Sequence, residues 1–131
     1  MKVLADTSIW VDYLRHGSQG SAKHLQDLLV QDDVVVCGPV VAELLGGTSA
    51  VDRYALWRVL QSLPWAPLDQ AEWRRVGEVT ALLRDRGLTV PLSNIEIAVA
   101  AAAVGASIWS RDSDFERVAR VVSELVLYQV P

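Results

Sequence analysis

The chain opens Lys2-Val3-Leu4-Ala5-Asp6-Thr7-Ser8-Ile9-Trp10, and this stretch decides the fold. A short apolar run ends on an acid and passes at once into hydroxyl side chains that suit a helix start. It reads as strand, acid, helix. Ile9, Trp10, Tyr13 and Leu14 recur at helical spacing. After a Gly17-Ser18-Gln19-Gly20 break, a second helix is expected over about 21–30, with Leu25, Leu28 and Leu29 on one face. Val34-Val35-Val36-Cys37 has the unbroken apolar character of a strand buried on both sides. Gly38-Pro39 opens the next helix, proline being tolerated in a first turn, and Gly46-Gly47 closes it.

The alternation continues to the end. Helices are expected over 51–63 and 69–86, flanking Pro64-Trp65-Ala66-Pro67-Leu68, whose two prolines restrict it to a short edge strand. Residues 88–93 read as a loop, 94–104 as an alanine-rich helix, and 106–110 as a strand before Arg111-Asp112-Ser113-Asp114-Phe115. A last helix to about Arg120 and a strand over 125–129 complete the pattern. Strands alternating with helices predict an α/β fold: a single domain over 1–131, with a central, mainly parallel sheet between helical layers, α/β/α. No repeat, linker or low-complexity tract interrupts it.

Composition narrows the function. The 131 residues are 51% hydrophobic, enough for one compact core and too few for two. With 16 acids against 12 bases the formal charge is −4, so bulk electrostatics will not hold nucleic acid and any such contact is local. Cys37 is the only cysteine. It excludes an intrachain disulfide and a thiolate cluster, and reads as a small core residue. The two histidines, His16 and His24, read as surface or structural groups, which disfavours zinc. No apolar run reaches the roughly 18 residues of a membrane span, and the expected location is cytoplasmic.

Four polar positions stand where burying an oxygen ligand is costly unless a cation compensates: Asp6, Glu43, Asn94 and Asp112. In an open parallel sheet the carboxyl ends of neighbouring strands share one edge, and Asp6 and Asp112 both follow strands. Glu43 lies about a turn into its helix, with its side chain leaning back toward the same edge. Asn94 opens the helix that leads to the strand before Asp112. Each has a plain alternative: Asp6 as a helix cap, Asp112 and Asp114 as turn acids, Glu43 on a narrow exposed stripe, Asn94 as another cap. Only their joint placement suggests one cavity. Its all-oxygen donors would suit Mg²⁺ or Mn²⁺, a metal that activates water toward a phosphodiester.

These segments together resemble a PIN-domain protein of the VapC toxin type. The marks are Asp6-Thr7-Ser8-Ile9-Trp10, Ala42-Glu43-Leu44, Asn94-Ile95-Glu96-Ile97-Ala98 and Arg111-Asp112-Ser113-Asp114-Phe115, in that order and over nearly the whole length. The resemblance implies a metal-dependent endoribonuclease cleaving RNA of the tRNA or rRNA class, with Mg²⁺ or Mn²⁺ as cofactor. It also implies homodimerisation and inhibition by a VapB-like antitoxin that enters the active-site groove. Residue by residue, Asp6, Glu43 and Asp112 match the family's first, second and fourth acids, and Asp6, Asp112 and the auxiliary Asp114 would hold the metal.

The third acid departs, for Asn94 stands where the family has Asp. An amide keeps the size and one carbonyl oxygen but removes a charge, so metal affinity and water activation should both suffer. Natural variation would leave such a residue; so would an inactivating replacement made to produce a toxic nuclease. Glu96 is not expected to substitute, because two residues along a helix turn a side chain by about 200°, and it is expected to face solvent or a partner. Ser8, Arg15, Lys23 and Arg111 are the candidate substrate contacts, while Arg74, Arg75, Arg84 and Arg86 read as a solvated helix face. Trp10, Trp65 and Trp109 read as core, and Trp57 and Trp73 as core or as a partner surface. Two rivals remain. A haloacid-dehalogenase-type phosphatase wants a second Asp two positions after the first, where this chain has Ser8; a PIN-fold binding module would hold antitoxin or RNA without cutting.

Overall fold

The unbroken apolar runs become the centre of the molecule. In the computed structural model, which describes residues 1–131, β1 (Val3–Ala5), β2 (Val34–Cys37) and β4 (Ser107–Trp109) are buried at every position. Successive strand side chains point to opposite faces, so full burial means that helices cover both faces. Val3 and Leu4 pair in parallel with Val34 and Val35, and Val3, Leu4 and Ala5 with Ser107, Ile108 and Trp109. β3 (Trp65–Ala66) adds to β2 at the edge, giving the parallel order β3-β2-β1-β4. The predicted α/β architecture is therefore the observed one.

Seven α-helices surround the sheet: α1 (Thr7–His16), α2 (His24–Val30), α3 (Gly38–Gly46), α4 (Ala50–Ser62), α5 (Gln70–Asp85), α6 (Leu92–Ala103) and α7 (Asp114–Ala119). Asp69 and Glu72 form a reciprocal capping box at the start of α5. Gly87 and Gly105 take positive φ values just beyond α5 and α6, the conformation that glycine adopts without strain.

Four expectations change. The strand at 125–129 contracts to a single parallel bridge, Ile108 to Leu127, with backbone bonds from Ile108 to Val126 and from Tyr128 to Ile108, both 2.8 Å. Helix α6 begins at Leu92, because Pro91 has extended ψ and its carbonyl accepts the Asn94 and Ile95 amides. Asn94 is thus the third helical residue and does not cap. Trp65 is 41% exposed, since the two-residue β3 is an edge strand with little above it; its indole donates to the Leu60 carbonyl at 3.0 Å. Glu96 is half-buried and within reach of the Glu43 charge, and the packing of α3 against α6 is the reason.

Candidate active site at the carboxyl edge of the sheet

Parallel pairing brings the ends of β1 and β4 side by side, and the Asp6 amide donates to the Trp109 carbonyl at 2.9 Å. Asp6 therefore leaves one strand where the loop carrying Asp112 leaves the next. Glu43 from α3 and Asn94 from the first turn of α6 complete the ring. Asp6, Thr7, Ser8, Glu43, Asn94, Ile97 and Asp112 line a cavity of about 180 Å³.

Asp6 is 6% exposed. Its Oδ1 accepts the Ile9 amide at 3.3 Å, capping α1, and the Ser8 hydroxyl at 2.7 Å; its Oδ2 accepts the Ser110 hydroxyl. The capping alternative thus holds together with membership of the cavity. Ser110 also accepts the Asp112 amide at 2.9 Å, and Asp112 Oδ1 accepts the Asp114 amide at 2.9 Å, an Asx-type turn that orients both acids. Asn94 faces the same pair: its Nδ2 donates to Asp112 Oδ2 at 3.1 Å and to Asp114 Oδ2 at 3.3 Å. Arg117 then pairs with Asp114 Oδ1 at 2.7 Å.

Glu43 is exposed at the cavity, the narrow-stripe geometry. Burial and then the Glu43 charge push the Glu96 carboxyl above its ordinary range. Burial, with the charges of Glu43 and Glu96, pushes the Cys37 thiol up to about 11, leaving it an inert core group. His24 is structural: its Nε2 meets the Tyr128 hydroxyl at 2.7 Å and its ring stacks on that tyrosine.

Of the candidate substrate contacts, Ser8 lies at the cavity but donates to Asp6, and Arg15 and Lys23 are exposed on α1 and just before α2. Arg111 turns outward to Asp12 at 2.9 Å and Ser21 at 2.7 Å. Arg111 first, then Ser21 and His16, hold the Asp12 carboxyl far below its usual range. A lowered folded-state pKa contributes stability above the unfolded value near 4. Solvent screening keeps that contribution small; it is fully present at neutral pH and is lost progressively as pH falls below about 5. Gly20 closes the turn over this group: a Cβ there would stand 2.7 Å from the His16 Cβ. Gly20→Ala is expected to cost about 1–3 kcal/mol in urea unfolding by overpacking.

Sequence reading passed over Ser110, Asp12 and Arg117. Arg117 was detectable as an i,i+3 partner of Asp114 and Asp12 as an i,i+4 partner of His16; the bonds that join Ser110 to Asp6 and Arg111 to Asp12 span about a hundred residues and carry no local signal.

The donor set is all oxygen, as hard divalent cations require. No three Asp, Glu, His or Cys side chains stand close enough together to hold an ion. Mg²⁺ is commonly held by one or two carboxylates with waters completing its shell, so Asp6 and Asp112 with neighbouring oxygens fit it chemically. Asn94, however, presents N–H groups to Asp112 and Asp114, doing in part what a cation would do.

The PIN domain family model matches residues 3–121. This chain belongs to the PIN-domain family. Ribonuclease VapC11 of Mycobacterium tuberculosis is 31% identical over 126 residues, 92% of this chain and 94% of the relative, as is VapC ribonuclease Mb1587 of Mycobacterium bovis. The PIN domain also superposes on VapBC2 from Rickettsia felis, solved with a DNA fragment from its promoter, at TM-score 0.77 and 22% identity over 100% of each chain. VapBC-1 from nontypeable Haemophilus influenzae follows at 0.75 and 16%, covering 98% of each. These structural likenesses fix the fold of the PIN domain, and the curated relatives place it in the VapC branch.

Proposed function

We propose that the chain is the toxin ribonuclease of a VapBC-type toxin–antitoxin pair, hydrolysing RNA with Mg²⁺ or Mn²⁺, and that Asn94 impairs it. The observation that carries this reading is the meeting of Asp6, Glu43 and Asp112 in one cavity at the carboxyl edge of the sheet. Asp6 and Asp112, with waters completing the shell, would hold the ion, and Asp114 would support Asp112 from behind; Ser8 and Ser110 orient Asp6. A bound divalent ion supplies charge compensation at the phosphodiester and lowers the pKa of a water. Glu43 is exposed, with none of its side-chain oxygens engaged by another residue, and is the group free to take the proton of the attacking water. Hydrolysis breaks one P–O ester bond and adds the elements of water across it. Arg15, exposed on the last turn of α1, is the proposed phosphate contact.

A second reading has its own support. The Asn94 amide already offers hydrogen bonds to the Asp112 and Asp114 carboxylates, compensating them without a cation, as a PIN-fold module that binds RNA or antitoxin without cleavage would need. Titration with Mn²⁺, followed by calorimetry, separates the two. Binding that is lost in Asp6→Ala and Asp112→Ala is expected of the impaired enzyme. Binding of RNA indifferent to metal and to both substitutions would leave the module.

The proposed antitoxin site is an apolar groove of about 560 Å³ between α1 and α4, lined in part by Tyr13, Leu14, Leu56 and Val59. Trp10 is among its lining residues. A basic antitoxin tail that enters the active-site cavity would complement Asp6, Glu43 and Asp112 there. Val59→Glu puts a charge into this groove and is expected to weaken a purified complex with the cognate antitoxin by roughly tenfold or more, measured by calorimetry. The proposed homodimer would cover the exposed Trp57, Trp65 and Trp73; a light-scattering mass of one chain at working concentration would exclude it. No helix is long and apolar enough to cross a membrane.

A further inference from the structure

Arg111 and Asp112 are consecutive, and their side chains serve opposite sides of one loop. Asp112 lines the carboxylate cavity, whereas Arg111 reaches back across the surface to α1. There Asp12 accepts from three side chains: Arg111 at 2.9 Å, Ser21 at 2.8 Å and His16 at 2.9 Å. Arg111 also donates to Ser21 at 2.7 Å, so Asp12, Ser21 and Arg111 form a closed triangle. Its corners come from α1, the turn before α2, and the loop between β4 and α7.

An isolated surface ion pair contributes little, because solvent screens it and two long side chains must be ordered. This one differs in two respects. Asp12 is only 17% exposed although Arg111 is 47% exposed, and each member of the triangle is held by the other two, so ordering one orders the rest. Gly20 is required for the turn to close over His16. The inner ties of the same loop are Ser110 to Asp6 and Asn94 to Asp112 and Asp114, the bonds that ligand binding in the cavity would disturb. The triangle lies outside the cavity and shares no bond with those inner ties.

We infer that Asp12 is a positioning residue: through Arg111 it fastens the 110–114 loop to α1 and so sets where Asp112 and Asp114 stand at the cavity. The functional part of this inference rests on the proposed role of those two acids. It also assigns Arg111 to the loop anchor in place of the phosphate contact expected from its sequence position.

The test uses the full chain with Asp12→Ala, Asp12→Asn and Ser21→Ala. Amide hydrogen exchange in the segment 110–116 is expected to quicken by roughly tenfold in Asp12→Ala, and less in Asp12→Asn and Ser21→Ala, which each keep part of the triangle. Mn²⁺ affinity should fall by roughly fivefold in Asp12→Ala while Tm stays within about 2 °C. Exchange that rises only around 16–24, or equally throughout the chain, would overturn the inference by making Asp12 a support of its own turn or of global stability. Unchanged exchange at 110–116 would overturn it as well. The exchange arm needs no metal. If the parent chain binds no Mn²⁺ yet 110–116 loosens, the anchor stands and the metal reading fails; if Mn²⁺ binds and 110–116 is indifferent, the reverse holds.

Discussion

Asn94→Asp is expected to raise Mg²⁺-dependent cleavage of tRNA or structured RNA by about 100-fold or more over the present chain. Removing one preorganised electrostatic group from an active site typically costs a factor of about 10²–10³, and this substitution adds one back. The position is suitable because the side chain already points between Asp112 and Asp114, at 3.1 and 3.3 Å. The same change has a cost without metal. Two hydrogen bonds give way to a carboxylate facing two others, with only Arg117 paired to the cluster through Asp114. The metal-free variant is therefore expected to melt several degrees below the parent, with Mg²⁺ restoring most of the difference. Gel assays with and without chelator, paired with thermal melts, read both effects. Intact RNA with the aspartate variant, at saturating Mg²⁺, would remove most of the support for nuclease function.

Trp10→Ala should produce the largest loss of stability, about 3–5 kcal/mol in urea unfolding, as expected for truncating a buried aromatic. Trp10 is 1% exposed, lies four residues after Asp6 in α1, and packs edge-on to Tyr13 with centroids 6.5 Å apart. Its loss loosens the helix that Asp6 caps, so a measurable weakening of any Mn²⁺ binding should accompany it. Trp57→Ala, unfolded at a concentration where the chain is monomeric, is the control, expected to cost about 1 kcal/mol or less, since Trp57 stands at the surface of the single chain beside Trp65. Equal losses in the two variants would contradict this division between core and surface tryptophans.

Most of the architecture was legible because its signals are local. Most apolar runs between breaks became a strand or helix, and the residues after β1 and β4 fell at one edge, as parallel strands require. Boundaries set by tertiary contact were less so. Residues 125–129 have strand composition, yet only Leu127 makes a bridge, because β4 is short and offers Ile108 alone as the partner. Trp65 has the composition of a core residue, but a two-residue edge strand has no neighbour to bury it.

The sequence by itself determined the alternating α/β pattern and the four polar positions, since hydrophobic period, Gly/Pro breaks and chain order are properties of neighbouring residues. It also marked Asn94 as the departure from the family's acids. Only the tertiary structure decided what that amide does. Pro91 starts α6 early and takes Asn94 out of the capping position, and the fold brings Asp112 and Asp114 within its reach. The Asp12–Arg111 anchor was likewise invisible in one dimension: its partners are 99 residues apart, and hydrogen bonding depends on distance in space rather than along the chain.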